Sequence, residues 1–501
     1  MKQKIFALFL ILCGLCLNLK AETQGDVVGR VLDDSGAPLA GATVQILHAK
    51  GGVITDKDGY FRIPYSKDGA VRVKVSFVGY QTQTFVLKAD ERKGEQHVLR
   101  LQPDATALDQ VVVTATRTPK ALKDAPVVTR LITANDIKIA DATNVQDLLT
   151  EQMPGLEFGY AMNQETSLNM NGFGGNAVLF LVDGERLAGE TMDNVDYSRL
   201  NLDNVGRIEI VKGAASALYG ANAVAGVINI ISRENSEPWT ANVNTRYNNF
   251  NKEWRHGGSF SFNAGKWNSQ TSIQRTTSDE VQLTSPFDTE SNILHIYGGE
   301  TFNVKERLSY KLSDKVKLIG RGGYFARVSN RSNYDDHYKD YSAGLKTVMN
   351  LSENDNLEIS YGFDQYDKAR YVNDVRTHDH DYTNRQNTVR ALYSHIFGKN
   401  TLTAGADFLN DFLTTYQFAN NGSKTQNSYD AFAQFDYNPL QWMNIVASLR
   451  HDYFSASSQH ATTGRLALMT KWKGFSIRAN YAGGFRAPTL KEMYMNLSLI
   501  H

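Results

Sequence analysis

The sequence predicts a mainly β chain in three parts: a small N-terminal β-sandwich, an α/β globular unit, and a long antiparallel series of membrane-spanning strands. Three observations predict it. Short strand-like runs separated by Gly, Asp and Pro turns fill residues 26–102. From Trp239 onward, half-apolar, half-polar stretches of about 10 residues repeat, with short and long connections in alternation. Between these textures lies the segment 207–232, RIEIVKGAASALYGANAVAGVINIIS, which reads as strand, glycine turn, one helical turn and strand. There Ile208 and Ile210 alternate with Glu209 and Val211, and 227–231 is a largely apolar, β-branched run suited to a buried strand.

Composition narrows the class. Lys plus Arg and Asp plus Glu both number 53, so no nucleic-acid partner is implied. Beyond the N-terminus no apolar run reaches the roughly 18 residues of a transmembrane helix. Residues 1–21 read as a secretory signal, with Lys2 and Lys4 before an apolar stretch at 5–17 and cleavage expected after Ala21. Cys13 and Cys16, the only cysteines, fall inside it, behind leucines too large for a lipoprotein cleavage site. The mature chain would then carry no disulfide framework and no thiol chemistry. Export, absence of cysteine and β texture together fit a bacterial envelope protein.

In chain order, VVGRVLD, ATVQILHA, YFRIP and VRVKVSFVGY are strands of the sandwich, with DDSGAPLAG and Asp58-Gly59 as turns. The linker 103–125 contains Asp109, Gln110, Val111, Val112, Val113, Thr114 and Ala115, a strand-competent peptide in polar surroundings. It suits either a short strand of the next unit or a recognition peptide that adds a strand to a partner's sheet. In the α/β unit, 126–232, a helix opens at Ala134 and Asn144 caps a second, VQDLLTEQ, which Pro154-Gly155 ends. The run 178–182 is a strand, and Asp183-Gly184 makes a tight hairpin turn. The loop Asn171-Gly172-Phe173-Gly174-Gly175 is not a phosphate loop, because no Gly-Lys-Ser/Thr follows. The small residues at 214–217 and 221–226 suit close packing.

About 13 amphipathic strands follow, among them 315–328, 355–371, 384–397, 427–437, 441–455 and 475–485. In 441–453, Met443, Ile445, Ala447, Leu449 and Tyr453 share one parity, and Trp442, Asn444, Val446, Ser448 and Arg450 the other. Short turns fall near Trp267, Ser313, Glu353, Lys399, Pro439 and Gly474. Longer polar stretches fall at 279–302, 329–340, 371–384, 418–427 and 455–460. Short periplasmic turns and longer external loops of a closed outer-membrane barrel give this rhythm.

With these residues in hand, the chain resembles a TonB-dependent outer-membrane transporter. DQVVVTA is similar to the Ton box. NVQDLLTEQMPGLEF, NGFGGNAVLFLVDGERL and the 207–232 segment resemble successive signatures of the plug domain, and GFRAPTLKEMY resembles a barrel motif of receptors for iron complexes, haem and cobalamin. The N-terminal pattern resembles a carboxypeptidase regulatory-like domain, as in Bacteroidetes members of the family. No His in the chain is followed three residues later by Glu, so this domain reads as a spacer or docking module, not as a peptidase. The expected division is a signal segment 1–21, sandwich 22–102, linker with Ton box 103–125, plug 126–232 and partial barrel 233–501. Two departures stand out. Asn171 occupies a position where the family often has Arg, which would alter a plug-to-barrel salt bridge. Family barrels have about 22 strands, whereas the sequence ends SLIH inside an expected external loop, so the chain reads as C-terminally truncated.

The resemblance implies a function without covalent chemistry and without an intrinsic cofactor or metal. Ligand binds between plug and external loops, and the Ton box is captured by the energy-transducing protein TonB with its inner-membrane partners. The remaining partners are outer-membrane lipid and a small-molecule iron complex, and the barrel is expected to be monomeric. The expected ligand is haem or a ferric siderophore, with cobalamin and glycans as alternatives. Haem needs His or Tyr axial ligands. The external candidates are His337, His378, His380 and above all His501, because haem receptors of the family carry a His just after the FRAP-like motif. Tyr334, Tyr338, Tyr494 and Arg486 suit an anionic siderophore. The acidic clusters YDDHYKD and HDHDY are alternatively suited to a divalent ion.

Overall fold

The computed structural model describes residues 25–33, 36–47, 52–65, 71–77, 80, 82–87, 97–101, 111–160, 165–189, 194–235, 237–284, 293–419, 422–473 and 475–495. The expected signal segment, Asp109, Gln110 and His501 lie outside them. The chain forms two compact units, Met1–Gln110 and Val111–His501.

The first unit is a two-sheet sandwich. Gly25–Leu32 pairs antiparallel with Tyr60–Tyr65 and parallel with His97–Arg100. The second sheet runs Gly52–Ile54, Thr43–Ile46, Val71–Ser76, Gln83–Leu87. Strand alternation sets the core: Val71, Val73 and Val75 are buried, while Arg72 and Lys74 between them are exposed. The turn at 56–59 is closed by the Asp56 carboxylate, which accepts from the amides of Asp58 and Tyr60. Gly59 has φ +80° there, and a Cβ would lie 2.6 Å from the Val31 carbonyl.

The second unit begins with a plug. Its five-stranded sheet runs Thr129–Thr133, Val205–Lys212, Gly226–Ser232, Val178–Val182, Glu185–Arg186. The apolar runs Val178–Val182 and Gly226–Ser232 pair in parallel at its centre. Thr133 and Asp136 form a capping box on the helix Ala134–Ala140. Asn144 caps the helix Val145–Gln152, whose Val145, Leu148 and Leu149 enter the core. Asp183 and Gly184 both take positive φ, as a tight hairpin turn requires. The small-residue segment holds one helical turn, Ser216–Tyr219, with every residue buried.

Among the described residues thirteen strands, from Trp239–Asn248 to Phe475–Ala482, then pair in chain order in one antiparallel wall; a separate hairpin of Val281–Thr284 with Ile293–Ile296 intervenes between the third and fourth, and the short strand Val375–Arg376 adds to Asp355–Val372. From Met443 onward parity is as the sequence indicates, but Trp442, expected with the inward set, lies in the turn before the strand and is exposed. In Met443–Phe454, Asn444, Val446, Ser448, Arg450 and Asp452 are buried, while Ala447 and Leu449 face outward. Exposed aromatic residues gather at the short-turn end, where Trp267 and Tyr310 pack at 4.3 Å and Trp442, Trp472 and Phe475 project. Among the described residues the first and last wall strands each pair on one edge only. No described helix is long and apolar enough to cross a membrane.

The loop expectations at 329–340 and 455–460 are corrected. Pairing continues to Asn330↔Asp335 and to Phe454↔Gln459, leaving connections of only four residues. Polar composition marks where a strand leaves the apolar layer, but the ladder does not need lipid and carries on beyond it.

Leu449 sits mid-strand on the outward face. Leu449→Arg should destabilise the wall by about 2–4 kcal/mol, while Trp472→Arg at the strand end should cost about 0–1 kcal/mol. Urea titration of the protein in phosphatidylcholine vesicles measures both.

Candidate functional site

The functional geometry lies where the plug meets the wall. The strap entering the plug, residues 111–125, contains Val111 to Ala115, the described residues of the segment expected to be either a short strand or a recognition peptide. Val111–Val112 pairs with Lys120–Ala121 in a ladder of two residues. Everything else that holds the strap comes from side chains. One oxygen of Glu209 accepts hydrogen bonds from the amides of Val113 (2.9 Å) and Thr114 (2.8 Å) and from the Thr114 hydroxyl (2.7 Å). Its other oxygen accepts from Arg207 Nε at 2.7 Å. Asn229 donates to Thr114 Oγ1, and the Tyr219 hydroxyl donates to the Thr114 carbonyl, each at 3.0 Å. Gln434 of the wall donates to the Thr116 carbonyl at 2.7 Å, and Lys120 pairs with Asp436 at 2.6 Å.

Arg117 has positive φ, lies 4.2 Å over the Tyr219 ring and donates to the Leu218 carbonyl at 2.7 Å. Burial, then the nearby Arg390, lowers its pKa to about 10, so it stays cationic at neutral pH. Two cavities flank the strap. One of about 1010 Å³ at the short-turn end is lined by Arg117, Pro119, Glu358 and Leu392, and so is a deeper one of about 260 Å³.

A second set of contacts fixes the plug across the lumen. The turn Tyr197–Arg199 points Arg199 at the wall, where it pairs with Asp340 at 2.6 Å and with both oxygens of Asp364 at 2.8 and 2.9 Å. Asp196 accepts from the Tyr366 hydroxyl at 2.7 Å and pairs with Arg327 at 2.9 Å. Burial alone would raise the Asp196 pKa, but Arg327 and the hydrogen bonds from Ser198 and Tyr366 hold it below the usual carboxylate value. Arg450 pairs with Asp430 at 2.6 Å under the small-residue segment. A Cβ on Gly220, at φ +74°, would stand 2.6 Å from its guanidinium, so glycine lets these groups approach.

At the opposite end, the GFRAP segment is docked on the plug. The Phe485 carbonyl accepts from the Asn222 amide, and its amide donates to Ser216 Oγ. Arg486 donates to both oxygens of Glu492 at 2.7 Å, inside the capped helix Leu490–Tyr494. Tyr494 packs on Phe418 beneath Lys424. Tyr334 and His380 are brought together by Arg370, which stacks 3.8 Å over Tyr334 and lies 2.8 Å from His380 Nε2. His378 Nδ1 is 2.9 Å from Asp381.

Two ligand candidates are placed otherwise than expected. His337 lies on the strand Asp335–Asn350, not in a loop, on the face opposite the buried Asp336 and Tyr338, with its ring 4.1 Å from Tyr371. Tyr338 is 1% exposed, beneath Arg327 and Lys368. The same alternation separates His337 from Asp336 and Asp340, leaving only Asp335 on its face, and Asp336 is paired with Lys368 and Arg370. Among the described residues no group of three or more His, Cys, Asp or Glu is placed to hold a metal ion. Asn171 occupies a positive-φ turn, its amide donating to the Gly155 carbonyl.

Sequence reasoning missed Glu209, Asn229, Tyr219 and Arg199. For Glu209 and Asn229 a signal existed: each is a polar residue set between two isoleucines, IEI and INI, and both are buried. A strand enclosed on both faces has no solvent side, so an acidic residue there must find donors.

A plug sheet seated inside a membrane-type antiparallel wall defines an outer-membrane β-barrel receptor. The comparisons agree. The family model "TonB dependent receptor-like, beta-barrel" matches residues 242–499, "TonB-dependent Receptor Plug Domain" matches 121–227, and "CarboxypepD_reg-like domain" matches 27–113. The chain belongs to the TonB-dependent receptor family. It is 25% identical over 413 residues to a vitamin B12 transporter BtuB of Photobacterium profundum, covering 78% of this chain and 64% of that protein. It is 27% identical over 425 residues to BtuB of Vibrio cholerae serotype O1, covering 79% and 65%. The fold matches the siderophore receptor PirA from Pseudomonas aeruginosa with TM-score 0.60 at 17% identity, covering 72% of this chain and 62% of that one. The chain thus spans just under two thirds of the length of these relatives.

Arg199→Ala leaves two buried carboxylates without their cation and should destabilise plug seating by about 3–5 kcal/mol. Urea titration followed through plug amide exchange measures it. Combining Arg199→Met with Asp340→Leu and Asp364→Leu should recover most of the loss.

Proposed function

We propose that the chain is the plug-bearing part of an energised outer-membrane importer for a metal-centred small molecule, an iron complex or cobalamin. The observation that carries this reading is the strap. It emerges from a plug that fills the lumen, and it is held by side chains that can let go without unravelling the sheet. Residues Asp109 to Ala115 are the segment captured by TonB. Capture draws the strap from the plug, and the resulting space admits ligand bound at the long-loop end. No residue of the chain performs covalent chemistry in this scheme.

Two ligand readings have separate support. The FRAP-like motif and the Tyr334–Arg370–His380 group, cationic and aromatic together, suit an anionic iron complex. The relatives bearing the name vitamin B12 transporter support cobalamin. Equilibrium binding of cyanocobalamin, haem and a ferric catecholate siderophore to the full-length receptor separates them. Tight binding of one and not the others assigns the class, and binding of none contradicts the proposal. Haem binding that is lost in His501→Ala would select haem.

Deletion of residues 109–115 should abolish energised uptake while leaving surface binding intact. Uptake that survives the deletion would refute the assignment of this segment.

A further inference from the structure

We infer that Glu209 is a latch: its hydrogen bonds to Val113 and Thr114 keep the strap in the plug at rest and release it when the recognition segment is pulled. This role for Glu209 as a positioning residue rests on the reading of 109–115 as the pulled segment.

The geometry sets the order of events. Tension applied before Val111 first meets the ladder between Val111–Val112 and Lys120–Ala121, only two residues long. The next contacts are the three donors converging on Glu209 Oε2. They are charge-assisted, hence strong at rest. They all end on a single side-chain oxygen, so one movement of the strap breaks them together. Asn229 and Tyr219 contact the same Thr114 and part with it. The first plug strand behind the strap, Thr129–Thr133, is different. It lies in a five-residue backbone ladder with Val205–Lys212, and Glu209 stands within that ladder opposite Leu131. The latch therefore joins a releasable strap to the sheet that stays.

Glu209 is fully buried, and the three strap donors and Arg207 are its hydrogen-bond partners. A carboxylate enclosed in this way is stable only with donors in place. Once the strap leaves, water must enter to solvate it. Release and wetting of the lumen are thus coupled at this residue. The withdrawn strap also removes Arg117 and Pro119 from between the cavities of about 1010 and 260 Å³, which already share Glu358 and Leu392. Their union runs along the wall strands Asp355–Val372 and Tyr382–Phe397.

The test is amide hydrogen exchange on the full-length receptor in vesicles, with no partner present. Glu209→Gln keeps the size of the side chain and removes the charge. It should raise exchange at Val113 and Thr114 about ten- to hundredfold and leave the amides of Val205–Lys212 and Gly226–Ser232 unchanged. Thr114→Val keeps both amides and the carboxylate but removes the hydroxyl, and should give a smaller rise at the same two positions. Unchanged exchange at 113 and 114 in Glu209→Gln would overturn the latch. An equal rise across the central strands would overturn it too, because Glu209 would then be a general sheet residue. The latch and the recognition segment fail separately: uptake retained after the 109–115 deletion removes the segment, and unchanged exchange removes the latch.

Discussion

The structure depends on how the inner face of the wall is satisfied. Strands that cross a bilayer must pair every backbone group with a neighbouring strand and turn apolar side chains to lipid. Strict alternation then sends the polar side chains inward. Arg390, Arg450, Asp340, Asp364 and Asp407 all face the lumen and are largely buried there. Ions taken out of water need partners. The plug supplies several: Arg199 for Asp340 and Asp364, Asp196 for Arg327, and the Leu218 carbonyl for Arg450. The small residues of 213–226 fit under this charged surface because they bring backbone, not bulk, to the guanidinium groups.

The same polarity makes the interface reversible. Apolar surfaces resist separation because water gains nothing from wetting them, whereas ionic and hydrogen-bonded contacts can be exchanged for water at small net cost. Glu185 stands 3.8 Å from both Arg321 and Arg390, a looser ionic contact than the 2.6 Å pair of Arg199 with Asp340. The strap is the extreme case. It is anchored at Glu209, Asn229, Tyr219, Gln434 and Asp436, each through a side chain, while the sheet behind it is held by main-chain ladders. A pull along the strap would meet a two-residue ladder and contacts gathered on single side chains before it reached the long ladders of the sheet.

Much of this was legible in the sequence. Local signals fixed local structure: Asn144 capped the helix it was expected to cap, Asp183-Gly184 turned the hairpin, and parity from residue 443 to 453 separated lipid from lumen. What escaped reading depended on enclosure. Glu209 looked like the polar half of an alternating strand, yet that strand has neither face in water. His337 and Tyr338 sat in a polar stretch that resembled a loop, and continued pairing placed them on opposite faces of a strand. The partners of Arg199 lie more than a hundred residues away, and no spacing rule connects them.

Under tension the strap should leave the plug before the sheet does. Single-molecule pulling on residue 111, with the receptor held in a bilayer, tests it most directly. Releasing residues 111–125 should add about 50 Å of chain in a first event at low force, with the plug sheet yielding only later. A single event that lengthens the chain through residue 232 at once would show that strap and sheet yield together and would refute this order.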